Sequence, residues 1–183
     1  GYTAKTFQLR TSELVCKVCG GGQLPEGRCL ECFGLGFEPQ LRSVTYGELS
    51  IGAVLQLPVR EALRFFSRRE EIFTPLSIAD GLGLARCPLR ARRTGLSLRK
   101  RSSAALASFL CEVQKRTDGW YLLDEPLEWS DDGECEFALN SLQRLAERGA
   151  TVILSTRRES LLSHLPNRWK ILRPLAVVDD IEP

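Results

Sequence analysis

Four cysteines in two closely spaced pairs carry the clearest chemistry in the sequence. Cys16 and Cys19 form one C-x2-C pair, and Cys29 and Cys32 form a second pair after nine residues. Each pair brings two sulfurs to one side of a turn, and four thiolates complete the tetrahedral shell of a zinc ion. Such a shell leaves no position for water, so we predict a structural zinc site, with disulfides or free thiols as the alternative.

A second motif is an apolar run that ends in two acids. Residues 120–123 are continuously apolar, which predicts a buried strand, and Asp124 and Glu125 follow at its carboxyl end. Ligands of parallel sheets bind at this end, where one acid can hold Mg²⁺ and the next can orient an attacking water. An acidic loop after a strand is the simpler alternative. The 183 residues contain no G-x-x-x-x-G-K-[ST] phosphate loop, so bound ATP and Mg²⁺ are not expected.

Charge is unevenly distributed, although the formal net charge is only +2. The segment from Asp118 to Glu136 holds eight acids and no Lys or Arg. A basic segment contains no acid and the following seven residues: Arg86, Arg90, Arg92, Arg93, Arg99, Lys100 and Arg101. It could release counterions from nucleic acid, or it could be a solvated surface that faces the acidic segment of the same fold, which we favour slightly.

The elements that position these residues follow from apolar periodicity and from Gly and Pro. We predict a strand over 43–46, a linking segment over 49–57, a helix over 59–69, short elements and loops over 70–95, helices over 102–115 and 132–147, a buried strand over 151–155, a short helix over 160–165, and a terminal hairpin over 170–178. Helices alternate with strands after residue 102. This order predicts an α/β fold with a parallel sheet and flanking helices, preceded by a small zinc module built on the four cysteines.

The order of motifs resembles the carboxyl-terminal half of UvrA, the ABC-type ATPase of bacterial nucleotide excision repair. The resemblance runs from about Leu14 to Leu162. It rests on these segments: the C-x2-C module, Val44-Thr45-Tyr46, Ile51–Leu55, Val59–Phe66, Leu76–Leu84 and the Walker B-like Leu122-Leu123-Asp124-Glu125-Pro126. It implies a partial ABC-ATPase sheet in three parts: a zinc module over 1–42, a linking and signature-like region over 43–101, and an ABC-like α/β subdomain over 102–183.

Three departures from the UvrA pattern concern the ATP site. Where the family signature reads Leu-Ser-Gly-Gly-Glu, this chain has Leu98, Arg99 and Lys100 after Leu96-Ser97. The switch histidine corresponds to Arg157, and the segment after Walker B no longer reads Thr-Thr-Gly-Leu. The spacing between the cysteine pairs is also shorter than in the family. The departures favour a degenerate relative or fragment in which Asp124 and Glu125 are vestigial, without deciding whether the chain is an enzyme.

The resemblance therefore implies a non-catalytic, zinc-binding module that contacts nucleic acid or a protein assembly and pairs with another ABC-type half. Three alternatives stay open. The chain could be a fragment of an active UvrA-type ATPase completed by another chain, or a structural subunit of a ribonucleoprotein or organellar assembly. Residues 29–36 also fit C-x-x-C-x-G-x-G, a repeat of DnaJ-like co-chaperones, which we rank last because it leaves the Asp-Glu strand unexplained.

Composition and the use of cysteine limit the class of protein and the cellular compartment that the sequence predicts. Hydrophobic residues make up 43% of the chain and charged residues 26%, which is typical of a globular protein. No run of about 18 apolar residues occurs, so no membrane span is predicted. Metal-bound thiolates fit the reducing cytoplasm, with an organellar matrix or stroma as the alternative. The absence of Met predicts that Gly1 is not a translation start.

Overall fold

A computed structural model describes residues 15–21, 29–114 and 118–165, and the predicted terminal hairpin lies outside these ranges. The regular elements of the described residues follow in chain order: β1 (Thr45–Tyr46), β2 (Leu49–Ser50), α1 (Ile51–Gln56), α2 (Val59–Phe65), α3 (Glu70–Ala79), α4 (Leu98–Val113), β3 (Trp120–Asp124), α5 (Asp132–Glu147), β4 (Thr151–Ser155) and α6 (Glu159–Leu162).

The segment predicted as a link, residues 49–57, instead contains a strand and a helix. β2 pairs antiparallel with β1 through a two-residue turn in which Gly47 and Glu48 both have positive φ, as the tightest hairpin turns require. Ser50 then caps α1, because its hydroxyl accepts a hydrogen bond from the backbone N–H of Ala53 at 3.3 Å. The linking prediction is therefore wrong, and the missed signals are a short hairpin and a serine cap.

The segment predicted as short elements and loops, residues 70–95, has a ten-residue helix, α3, in its first half. Pro75, which ordinarily predicts a break, lies inside this helix. Its ring removes one helical hydrogen bond, but the residue lies on the exposed side, where water can satisfy the carbonyl four residues earlier. The helix then widens into a turn over Asp80–Leu84, where Gly83 has φ +80°.

The α/β prediction after residue 102 is confirmed. β3 and β4 pair in parallel with Trp120 opposite Thr151 and Asp124 opposite Ser155, and α5 connects them with the predicted bounds. The preceding helix, α4, begins four residues earlier than predicted because Ser97 caps it. α3, α4, α5 and the turn over Asp80–Leu84 pack around one apolar core.

The two strands are not buried as their continuous apolar sequences predicted. Tyr121, Leu123, Val152 and Leu154 pack against the core, whereas the side chains between them point away from it. On that outer face Trp120 and Leu122 are each 75% exposed, and Ile153 is 48% exposed. Among the described residues helices cover one face only, which explains the difference.

The cysteine segment packs against α1. Gly52 lies so close to Leu35 that a Cβ on the glycine would be 2.6 Å from the Leu35 Cβ and 2.9 Å from its carbonyl oxygen. Nearby, the side-chain amide of Gln56 donates to the Gly34 carbonyl at 3.3 Å. These contacts fix the cysteine segment to the helical part of the chain.

The helices of the described ranges are all too short or too polar to cross a bilayer.

Candidate functional site

The four cysteines predicted as metal ligands come together in one buried cluster. The Sγ atoms of Cys16 and Cys29 are 3.8 Å apart, and those of Cys19 and Cys32 are 3.6 Å apart. All four sulfurs lie within 4.8 Å of one another. Sulfurs bound at about 2.3 Å to one tetrahedral zinc would stand roughly 3.8 Å apart. The cluster therefore fits a zinc ion, and the separations are far longer than a disulfide bond of about 2.05 Å.

Backbone contacts bring the two cysteine pairs together. The N–H of Cys16 donates to the Gly36 carbonyl at 3.1 Å, which forms part of an antiparallel bridge between Val15 and Phe37. The N–H of Gly36 points at the Cys32 sulfur at 3.3 Å, a contact that stabilises a thiolate. Gly36 has φ +85°, which a residue with a side chain rarely adopts.

The surroundings divide the cysteines by acidity. Burial raises the pKa of Cys19 to about 12 and also raises the pKa of Cys16. At Cys32 burial acts in the same direction, but hydrogen bonds from the N–H groups of Gly36 and Gly34 and from the other thiols outweigh it, so its pKa falls to about 7. The Cys32 thiolate therefore forms more readily than those of Cys16 and Cys19.

At the carboxyl end of β3, the two predicted acids have intramolecular partners. The Ser155 hydroxyl donates to Asp124 Oδ1 at 2.6 Å and accepts from the Glu125 N–H at 3.1 Å. Glu125 has φ +45°, an uncommon backbone conformation for a residue other than glycine. β3 and β4 thus hold the acidic pair in place through one serine.

Arg157, the residue at the switch position, binds the second of these acids. Its Nε lies 3.1 Å from Glu125 Oε1, and its backbone N–H donates to Glu125 Oε2 at 3.2 Å. Its Nη2 reaches Glu128 Oε1 at 2.6 Å. Both oxygens of Glu125 are therefore occupied by one residue of the loop after β4.

Arg99, at the signature position, binds two acids at the start of α5. Its Nη2 lies 2.8 Å from Asp131 Oδ2 and 2.6 Å from Glu134 Oε1. Asp131 and Glu134 also form a reciprocal capping box. The backbone N–H of Glu134, followed by the Arg99 guanidinium, lowers the pKa of Asp131. The contact predicted between the basic and acidic segments is confirmed at Arg99.

The other basic residues that were predicted to bind nucleic acid differ in their exposure to solvent and in their contacts. Arg86, Arg92 and Arg93 are exposed and have no ion pair within the described ranges. Arg90 and Lys100 are half-buried and likewise unpaired there. Arg101 is half-buried too, and its Nε donates to the Leu96 carbonyl at 2.9 Å. Nothing in this geometry identifies a ligand for the segment.

Sequence reasoning missed two features of this region. Arg158 holds the loop before α5, because its Nη1 donates to the carbonyls of Leu127 at 3.2 Å and Ser130 at 2.6 Å. Glu134 is only 6% exposed and lies against Gly83. The D-x-x-E spacing of Asp131 and Glu134 signals a helix cap and could have identified the second feature. No sequence signal distinguishes Arg158 from its neighbour.

The chain is similar in sequence to UvrA proteins. The UvrABC system protein A of Oceanobacillus iheyensis is 30% identical over 166 residues, which is 84% of this chain and 17% of that protein. The protein of the same name from Micrococcus luteus is 30% identical over 165 residues, again 84% of the chain and 16% of that protein. No protein-family model matches the chain.

A solved structure has the same fold. The crystal structure of UvrA2 from Deinococcus radiodurans superposes with a TM-score of 0.76 at 26% identity, covering 90% of this chain and 21% of that one. The resemblance to UvrA and the UvrA-like α/β fold are thereby confirmed. The chain spans about a sixth of the length of the curated relatives that it matches.

Proposed function

We propose that this UvrA-related chain is a zinc-stabilised module that binds nucleic acid or a partner protein and does not hydrolyse ATP. The module works in the cytoplasm and pairs with another ABC-type half. Zinc at the four cysteines has a structural role, since four protein ligands leave no open position for a reacting water. The sulfur separations support the zinc proposal, and the contacts of Glu125 after β3 support the absence of hydrolysis.

The main support for the absence of ATP hydrolysis is the ion pair between Arg157 and Glu125. The acid that follows the metal-binding acid in phosphoryl transfer needs a free oxygen to orient the attacking water. Here Glu125 Oε1 meets a guanidinium at 3.1 Å and Oε2 accepts a backbone N–H at 3.2 Å. A carboxylate whose two oxygens already meet these partners is not oriented toward an attacking water.

The signature position supports the same conclusion. Two glycines there would let backbone N–H groups approach a phosphate, whereas Leu98 and Arg99 place side chains at the start of α4. Leu98 is exposed and Arg99 is occupied by Asp131 and Glu134. The arginine therefore stabilises the protein's own acids and is not available to a phosphate.

We expect no phosphate release above background from the zinc-loaded chain with Mg-ATP, alone or mixed with a candidate ABC-type partner. Glu125→Gln should leave that background unchanged, as should Glu136→Gln, a matched control at an exposed carboxylate on α5. Phosphate release measured with a coupled colorimetric assay checks the prediction. Turnover that disappears in Glu125→Gln but persists in Glu136→Gln would establish the alternative, an active fragment completed by the partner.

Nucleic-acid binding is expected to depend on the exposed part of the basic segment. Changing Arg86, Arg92 and Arg93 together to Ala should weaken binding of a mixed-sequence DNA duplex. The slope of log K against log salt should also fall by about 0.9 for each phosphate that the variant no longer neutralises. Fluorescence anisotropy at several salt concentrations measures both quantities. Arg99 is left intact because its substitution would release two carboxylates and disturb the fold.

The matched control removes the same charge elsewhere on the surface. Arg64, Arg68 and Arg144 are exposed and lie outside the basic segment, so their triple alanine variant should bind DNA with a nearly unchanged salt slope. Equal weakening by both triple variants would indicate a non-specific charge effect. If the wild-type chain binds neither a DNA duplex nor an RNA strand of mixed sequence, the nucleic-acid part of the proposal is wrong.

A further inference from the structure

We propose that Trp129 anchors a docking surface for a basic segment of a partner protein. Trp129 lies in the connection between β3 and α5 and is 51% exposed. The surface consists of this side chain and the acidic residues of the connection and of the start of α5. The basic segment meets it at Arg99, which is paired with Asp131 and Glu134, and the inference does not depend on nucleic-acid binding.

The backbone on both sides of Trp129 is fixed. Leu127 is only 1% exposed and anchors the connection in the core. Before Trp129, Glu128 is held by the Arg157 guanidinium at 2.6 Å. After it, the Ser130 carbonyl accepts a hydrogen bond from Arg158 Nη1 at 2.6 Å, and the Ser130 N–H donates to the Leu127 carbonyl at 3.2 Å.

A fixed backbone makes an exposed tryptophan an effective anchor. Trp has two side-chain torsions and a large apolar area, so little conformational freedom is lost when a partner covers it. Residues of this type are enriched among those that carry most of the binding energy of protein interfaces. The two arginines that follow β4 thus hold the connection in a shape that presents one large apolar side chain to solvent.

Charge identifies the kind of partner. Three guanidiniums, those of Arg99, Arg157 and Arg158, meet the connection and the start of α5. The end of β3, the connection and the start of α5 together carry seven carboxylates, so the region is net negative: Asp124, Glu125, Glu128, Asp131, Asp132, Glu134 and Glu136. The Asp132 side chain is fully exposed. A negatively charged rim attracts Lys and Arg and repels a phosphodiester backbone, which favours a protein over a nucleic acid at this surface.

The test uses the zinc-loaded full chain and an 18-residue amphipathic helical peptide of Leu and Lys, with the same peptide carrying Glu for Lys as its control. Anisotropy of the labelled peptides measures affinity. We expect the Leu–Lys peptide to bind and the Leu–Glu peptide not to bind. Trp129→Ala should weaken the binding of the Leu–Lys peptide at least about tenfold. Trp129→Phe should retain most of the affinity. Asp132→Asn combined with Glu136→Gln should weaken binding and reduce its salt dependence.

A second exposed tryptophan provides the matched control. Trp120→Ala removes the same ring from the outer face of the sheet, where it is more exposed than Trp129, and should leave the peptide affinity unchanged. Loss of binding in Trp120→Ala but not in Trp129→Ala would show that the peptide binds to the outer face of the sheet, and it would overturn the proposal. Equal binding of the Leu–Glu peptide, or a single-stranded oligonucleotide whose binding requires Trp129, would overturn it too. Circular dichroism shows whether each variant is folded.

Discussion

Cys32→Ala is expected to abolish metal binding and to unfold the cysteine segment. Three of the four cysteines are essentially inaccessible, and among the described residues the buried cluster that they form consists of cysteine alone. The sulfurs, with the zinc ion proposed to join them, therefore form the buried centre of this segment. Zinc bound to comparable small sites contributes about 10–16 kcal/mol to folding, so losing a ligand removes most of what stabilises the segment.

Zinc content measured by plasma emission spectroscopy should fall from about one ion per chain to none. Hydrogen exchange should become fast over residues 15–21 and 29–37, while the helical core around α4 and α5 keeps its protection. Cys111→Ala, at a half-buried cysteine outside the cluster, should keep the zinc. Full zinc occupancy in Cys32→Ala, or a wild-type protein that binds no zinc from solution, would contradict the structural role of the cluster.

Gly83→Ala is expected to cause a large loss of stability. Gly83 has φ +80°, which costs a residue with a Cβ about 1–2 kcal/mol. Its Cβ would also collide with the Glu134 carboxylate, whose Cδ would lie 2.7 Å away. Glu134 would have to leave its buried position and its contact with Arg99. We expect a total loss of about 3 kcal/mol or more.

Gly95→Ala provides the comparison, because no atom lies within 4 Å of the added methyl group and its φ is not positive. Urea unfolding of the two variants should separate them clearly, with Gly95→Ala close to wild type. The double variant Gly83→Ala with Glu134→Gln tests the mechanism, since a neutral side chain leaves its place more easily than a charged one. A Gly83→Ala protein as stable as wild type would mean that this turn rearranges at little cost.

The parts of the fold that follow from local sequence were predictable. α5 has an amphipathic pattern, an Asp at its start and Gly149 at its end, and its predicted bounds agree with the structure. The pairing of β3 with β4 followed from the alternation of helix and strand. The four cysteines formed one cluster because their spacing allows few other arrangements. The division of the chain at residues 42 and 101 stays a prediction, and the second boundary falls within α4.

The parts that depend on distant contacts were not predictable. Pro75 ordinarily ends a helix, and only its exposed position in α3 lets the helix continue. The apolar sequence of β3 does not reveal that helices cover only one face in the described residues. The pair between Arg157 and Glu125 joins residues 32 positions apart, and both are polar residues of loops with no periodic pattern to relate them.

The ion pairs of Arg99 and Arg157 make the residues of this region interdependent. Each arginine binds two acids. Replacing either one with the residue typical of UvrA would leave two negative charges without their counter-ion, one of them on the buried Glu134 in the case of Arg99. A substitution at either arginine therefore changes the charge balance of three side chains at once, and matching substitutions at the two acids would restore it.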